Sequence, residues 1–331
     1  MRKSLHILLF LLSTFSCLAQ QQPPQQYKYK MTVAKDGSGD FTYIQDAIEA
    51  MRVFTTEPIV VYIKNGVYNE KIELPATKTD VTFIGESVEK TIITFNDHTG
   101  RGKINTFTSY TAKIAGNRFV AENITFANSA GPVGQAVALH VESDKAVFKN
   151  CRFLGNQDTI FASGEYSRQL FIDCYIEGTT DFIFGPSTAF FINCTIHSKS
   201  NSYITAASTP KNKRFGFVFY NCRLTADSSV NKVFLGRPWR AFAKTAFIEC
   251  DMGNHIVAEG WNNWSDVKNE QTTFYAEYNN KGAGANKTQR VKWAKQLTEK
   301  EAEEYKPENI FSMTLLNQHD TEWFNRYLLN K

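Results

Sequence analysis

The sequence contains no apolar run long enough to cross a bilayer. Leu5 to Leu12 falls well short of the roughly 20 residues a spanning helix needs, and Ser13, Thr14 and Ser16 follow it. No run of five basic residues occurs, so the usual electrostatic footprint of a nucleic-acid binder is missing and no nucleic-acid partner is expected. There is no Cys-x-x-Cys pair, which argues against a metal site built on thiolates. There is also no Gly-x-Ser-x-Gly string, the signature that presents the nucleophile of many serine hydrolases.

What is present begins with a leader. Arg2 and Lys3, the short apolar run and the small residues Cys17 and Ala19 have the layout of a secretory signal peptide over residues 1–19, so the chain is expected to be exported, secreted or periplasmic. Lipid anchoring through Cys17 is the alternative, against which Thr14 and Phe15 argue. Residues 20–26, with Pro23 and Pro24, read as a polar linker. Residues 27–331 read as one folded domain, since a 42% hydrophobic chain of 331 residues can bury a large core. Without Arg2 and Lys3 the charge is 35 basic against 33 acidic residues, a balance that fits an acidic polymer only weakly.

The cysteines reveal a repeat. Cys151, Cys174, Cys194, Cys222 and Cys250 are spaced by 23, 20, 28 and 28 residues. Each follows an aromatic residue and then Asn, Asp or Glu, as in Phe171-Ile-Asp-Cys174-Tyr-Ile176, and Phe119 to Phe126 is a related copy with Ile124 in the cysteine position. That spacing suits one turn of a solenoid whose strands stack on their equivalents. The fold expected is all-β, a single-stranded parallel β-helix, with the cysteines as small apolar fillers and the preceding polar residue at a bend. A disulfide framework is the alternative. Thr42 with Gln45, ahead of Ile44, Ala47, Ile48 and Met51, predicts a short N-terminal capping helix. Thr298 with Glu301 predicts another helix start, and Trp323, Phe324 and Tyr327 form an aromatic tail able to pack on the outside.

Polar residues concentrate in Gln135-Ala-Val-Ala-Leu139, Gln157-Asp158-Thr159, Asp181-Phe-Ile-Phe-Gly185 and Leu235-Gly-Arg237-Pro-Trp239. Asp158 and Asp181 each follow a repeat cysteine by seven residues, so they belong at equivalent positions of adjacent turns, about 4.8 Å apart. Neighbouring carboxyls resist ionising together, and Arg237 beside one of them selects which keeps its proton. By this reading Arg237 holds Asp181 ionised, Asp158 donates and accepts protons, and Gln135 and Gln157 offer amides to an oxyanion. Pro238 keeps the Arg237 backbone extended. Stacked Asp and Gln ladders of purely structural role are the plain alternative for any one of these residues. Phe184 and Trp239 fit either a core or a sugar platform. His140 reads as a rung residue.

These strings, with Gly66-Val-Tyr68-Asn-Glu70 and Gly260-Trp261-Asn-Asn-Trp264, resemble those of the pectin methylesterase family, in order, over roughly Met31 to Trp293. The resemblance implies a right-handed β-helix that hydrolyses the methyl esters of galacturonate in pectin. It implies Asp181 as nucleophile, Asp158 as general acid and base, Arg237 as the orienting cation, and Gln135 and Gln157 as oxyanion donors. It further implies sugar contacts from Trp239, Phe184 and Thr106, although Tyr110 stands where that segment usually has a small residue and Thr180 where an apolar one is common. No metal or organic cofactor is expected. The partner implied is methyl-esterified homogalacturonan, acted on by a monomer with no obligate protein partner. A β-helix lyase or glycosidase and a non-catalytic polysaccharide-binding solenoid are the alternatives.

Overall fold

A computed structural model describes residues 27–55, 57–312 and 320–328. The expected signal peptide, the polar linker and Cys17 lie outside the described residues.

One repeat shows how the sequence makes a turn of the coil. Ala146–Lys149 forms a strand, Asn150 turns it, Arg152–Leu154 forms a second, a loop through Asp158 turns it again, and Ile160–Ala162 forms the third. Each strand pairs in parallel with its equivalent one turn on, as in Phe148 with Phe171, Phe153 with Ile176 and Ile160 with Ile183. Among the described residues this gives three parallel sheets of 11, 8 and 7 strands. They wind as the expected right-handed parallel β-helix.

The core is a set of axial stacks. Phe148, Phe171, Phe191, Phe219 and Phe247 lie nearly parallel with centroids 4.9, 4.6, 4.5 and 4.4 Å apart, close to the spacing of the strands that carry them. Each ring contributes roughly 1.5–3 kcal/mol by burial. Beside them the five cysteines are free and buried, so the filler reading holds and the disulfide alternative does not. Each thiol points at a carbonyl of the preceding turn, for example Cys174 Sγ to Phe148 O at 3.4 Å. The residue before each cysteine takes a positive φ, including Asn150 at 49° and Asn221 at 50°. That conformation suits Asn and Asp because a short polar side chain tolerates it.

The helix Ile44–Ala50 closes the N-terminal end with Ile44, Ala47 and Ile48 buried, but the expected capping box is absent. Tyr43 occupies the cap, and the carboxylate of Glu70 accepts from Ile44 N at 2.9 Å and Gln45 N at 3.1 Å. Gln45 instead turns to the first coil, accepting from Glu73 N at 2.9 Å. A distant carboxylate has replaced the local cap, a substitution that local spacing does not reveal. At the other end Thr298 and Glu301 do form a capping box on Glu299–Ala302. Trp323 and Phe324, on the helix Glu322–Leu328, pack with Phe311 over Val120, Val147, Leu170 and Phe190, outside the 11-stranded sheet.

The outer face of the 7-stranded sheet carries the site. One outward row runs Glu73, Lys113, His140, Phe161, Phe184, Ala206, Arg237, in register from turn to turn.

Candidate active site

Asp158 and Asp181 occupy the bend that precedes the strands Ile160–Ala162 and Ile183–Gly185, with φ of 66° and 48°. Backbone bonds stack the two bends: Asp158 N donates to Thr180 O at 3.1 Å and Ile160 N to Phe182 O at 2.8 Å. Asp181 N in turn donates to Tyr203 O at 2.8 Å. Gln157, beside Asp158, bridges to Gln135 one turn earlier, and the four polar side chains face one place on the wall. Thr159 Oγ1 bonds Asn156 O and Glu177 O, pinning the loop from inside.

Arg237 reaches this pair from two turns away, roughly 10 Å along the stack. Ala206, at the same outward position in the intervening turn, is small enough to leave the path clear. Gly236 lets its strand approach, since a Cβ there would lie 2.0 Å from Thr205 Oγ1. The guanidinium then makes a bidentate pair with Asp181, Nε to Oδ1 at 3.0 Å and Nη2 to Oδ2 at 2.6 Å. It packs against the rings of both Trp264 and Tyr203, at 3.7 Å and 4.0 Å from their centroids.

The two acids therefore differ although both are only 5% exposed. Burial, and after it the charge of Asp181, push the Asp158 carboxyl up to about 8, against a smaller pull from the Gln135 hydrogen bond and Arg237. Burial also raises Asp181, but there the Arg237 hydrogen bonds and charge oppose it directly. Both carboxyls are raised, and the pair is unequal because the guanidinium bonds Asp181 alone.

A groove of about 170 Å³ opens over the pair, lined by Thr106, Phe107, Gln135, Gln157, Asp158, Asp181, Phe184, Ala206, Arg237, Trp239 and Trp264. A family model described as Pectinesterase matches residues 30–313.

The chain belongs to the pectinesterase family.

Similar proteins agree. "Probable pectinesterase/pectinesterase inhibitor 58" of Arabidopsis thaliana is 41% identical over 295 residues, covering 85% of this chain and 51% of its own. The structure titled "Pectin methylesterase from Carrot" is 35% identical with a TM-score of 0.82, covering 85% of this chain and 92% of that one. A pectin methylesterase in complex with a hexasaccharide is 30% identical with a TM-score of 0.74, covering 85% of this chain and 96% of that one. The chain spans about half the length of the first curated pectinesterases it matches.

All eight site residues expected from the pectinesterase strings line the one groove. His140 is a rung residue, 4% exposed and 4.6 Å from Phe161. Tyr68 and Glu70, from the first string, serve the fold instead: Tyr68 Oη donates to Lys64 O at 2.9 Å and Glu70 caps the N-terminal helix. Within Gly260 to Trp264 the two tryptophans separate in role. Trp261 is buried, stacked on Tyr275 at 4.3 Å and bonded to Glu277, while Trp264 enters the groove.

Three contributors escaped the sequence reading. Phe107, 46% exposed, leans on Phe161 at 5.3 Å and on Trp239 at 6.5 Å. Asn105 holds it there by accepting from Phe107 N and Thr108 N. The pattern Asn105-Thr-Phe-Thr108 is a local capping signal that could have found that turn. Trp264 stood in a quoted string without an assigned role. Tyr203 had no local signal, because its meaning comes from a side chain 34 residues further along the sequence, Arg237.

Proposed function

We propose that this pectinesterase-family chain hydrolyses the methyl esters of galacturonate units in pectin, releasing methanol and leaving pectate. The observation that carries the reading is the unequal acid pair: two stacked, buried carboxyls, only one of them clamped by a guanidinium. Asp181 attacks the ester carbonyl carbon, and the amides of Gln135 and Gln157 take the oxyanion of the tetrahedral intermediate. As the C–O bond to the methoxy group breaks, Asp158 gives its proton to the departing methanol. Asp158, now a carboxylate, accepts a proton from the water that attacks the acyl-enzyme, and Asp181 leaves as a free carboxylate. Each turnover consumes one water and restores both acids.

Arg237 steadies Asp181 through the cycle. Trp239, Thr106 and Phe107, with Trp264 opposite, offer surfaces on which the sugars next to the reacting unit lie, and Phe184 backs them from beneath. A groove along the wall of a β-helix suits an extended polymer, in keeping with the hexasaccharide bound by a relative. The protein acts as an exported monomer in this reading, and no described helix is long and apolar enough to cross a membrane.

The test is methanol release from methyl-esterified polygalacturonate by the purified protein. Stoichiometric methanol with no new reducing or unsaturated ends supports the proposal. Unsaturated or reducing products without methanol would replace it with a lyase or a glycosidase, and polymer binding without turnover with a binding protein.

A further inference from the structure

Arg237 has a long, flexible side chain that must span two turns of the coil and still present two of its guanidinium nitrogens to Asp181. The contact geometry shows how it is held. Trp264 covers one face of the guanidinium at 3.7 Å and Tyr203 packs against it at 4.0 Å. The two rings differ in standing: Trp264 lines the groove, whereas Tyr203 does not.

Tyr203 is itself fixed on several sides. It opens the strand Tyr203–Ala207 and is in register with Phe234, whose ring it meets at 5.3 Å with planes 23° apart. Its neighbour Ser202 accepts from Phe234 N at 2.9 Å through its carbonyl, and the Ser202 hydroxyl lies 2.8 Å from that of Thr180. The carbonyl of Tyr203 meanwhile accepts the amide of Asp181 at 2.8 Å. One residue therefore holds the acid by its backbone and the arginine by its ring.

We propose that Tyr203 is a positioning residue for the reaction: its ring and Trp264 form an aromatic clamp that keeps Arg237 aimed at Asp181. The proposal rests on the function proposed above. Because Tyr203 does not line the groove and acts through Arg237, its loss acts on the ionisation of Asp181 and not on substrate contacts. The charged groups facing Asp181 are Arg237 and Asp158, and the buried, neutral Tyr275 lies within electrostatic reach of it. A loosened guanidinium raises the Asp181 carboxyl, so a higher pH is needed to ionise it.

The experiment compares Tyr203→Leu with Tyr203→Phe in the full-length protein, assaying methanol release across pH. Leu removes the π face and is expected to lower kcat about tenfold, leave KM little changed and move the acid limb to higher pH. Phe keeps the face and is expected to match the parent in both. The Nε–H resonance of Arg237 should exchange faster with solvent in Tyr203→Leu and as in the parent in Tyr203→Phe. A folded Tyr203→Leu protein with parental kcat and an unmoved acid limb overturns the proposal. Tyr203→Met carries the same expectation should the leucine variant fail to fold. Asp181→Asn separates the two levels of argument. If that variant still releases methanol, the proposed function fails whatever Tyr203 does; if it is inactive while Tyr203→Leu behaves as the parent, only the clamp is lost.

Discussion

This coil has two kinds of polar corner, and the two use one backbone conformation for opposite ends. At the corner before the cysteines, Asn123, Asn150, Asp173, Asn193, Asn221 and Glu249 all have positive φ, as Asp158 and Asp181 do at the corner before the site. The first corner is a ladder, mostly of amides, whose side chains satisfy one another. Asn150 Nδ2 donates to Asn123 Oδ1 at 2.7 Å, Asn221 Nδ2 to Asn193 Oδ1 at 2.7 Å, and Asn193 Nδ2 to Asp173 Oδ1 at 3.1 Å. An amide both donates and accepts, so such a ladder closes on itself at little cost. The second corner stacks two carboxyls, which when ionised only accept and repel, and buries them. It therefore needs Gln135 on one side and Arg237 on the other. The difference teaches that the coil supplies proximity everywhere, and that burial and a single cation turn proximity into chemistry.

The largest way to break that contrast is to turn the acid corner into the amide corner. Asp181→Asn is expected to keep the fold, because Asn already occupies this conformation at four of the six positions of the other ladder. It should lower methanol release by roughly 10³-fold or more, as loss of a nucleophile does. A folded variant that retains full turnover sinks the assignment of Asp181.

Removing the second acid gives a smaller change of two kinds. Asp158→Asn is expected to slow turnover by about 10²–10⁴-fold, the usual worth of a general acid and base. It should also stabilise the protein. The Asp158 carboxyl is held at about 8 in the fold against an ordinary 3.8, so the folded state favours its proton. The stability that this proton confers is complete below the ordinary value and is lost as pH rises through about 8. Asn has no proton to lose. The variant should therefore melt a few degrees above the parent at pH 8 and converge with it as pH falls toward 4. Equal melting temperatures across that range would show that the acid corner carries no strain.

Most of this was legible because the coil repeats. The intervals between Cys151, Cys174 and Cys194 betrayed the turn length, and the shared offset of Asp158 and Asp181 then placed the acids side by side without coordinates. Arg237 was legible as a charge next to a stiffening proline within a polar string. What stayed hidden depends on turns that are distant in sequence. Glu70 caps a helix 26 residues before it, and Tyr203 matters only because Arg237 folds back across its turn on the way to Asp181. The capping spacing of Thr42 and Gln45 misled for the same reason: a tertiary partner outcompeted the local one. Phe107 and Trp264 belong to loops outside the repeat, where periodicity gives no register.

The smallest test puts an acid pair into the amide corner. Asn150→Asp removes the donor to Asn123 and sets a carboxylate one turn from Asp173, at the equivalent position. These side chains are exposed, so water and salt screen the repulsion that burial preserves at Asp158. The expected cost is about 0.5–1 kcal/mol at neutral pH, read from denaturant unfolding, with methanol release unchanged. The charge part of that cost should shrink in high salt and again below the carboxylate range, leaving only the lost hydrogen bond. By NMR the introduced carboxylate should titrate near the ordinary range, despite standing as close to another acid as Asp158 does to Asp181. If it titrated near 8 as Asp158 does, pairing by itself would be enough to perturb an acid, and burial would lose its place as the leading cause at the active corner.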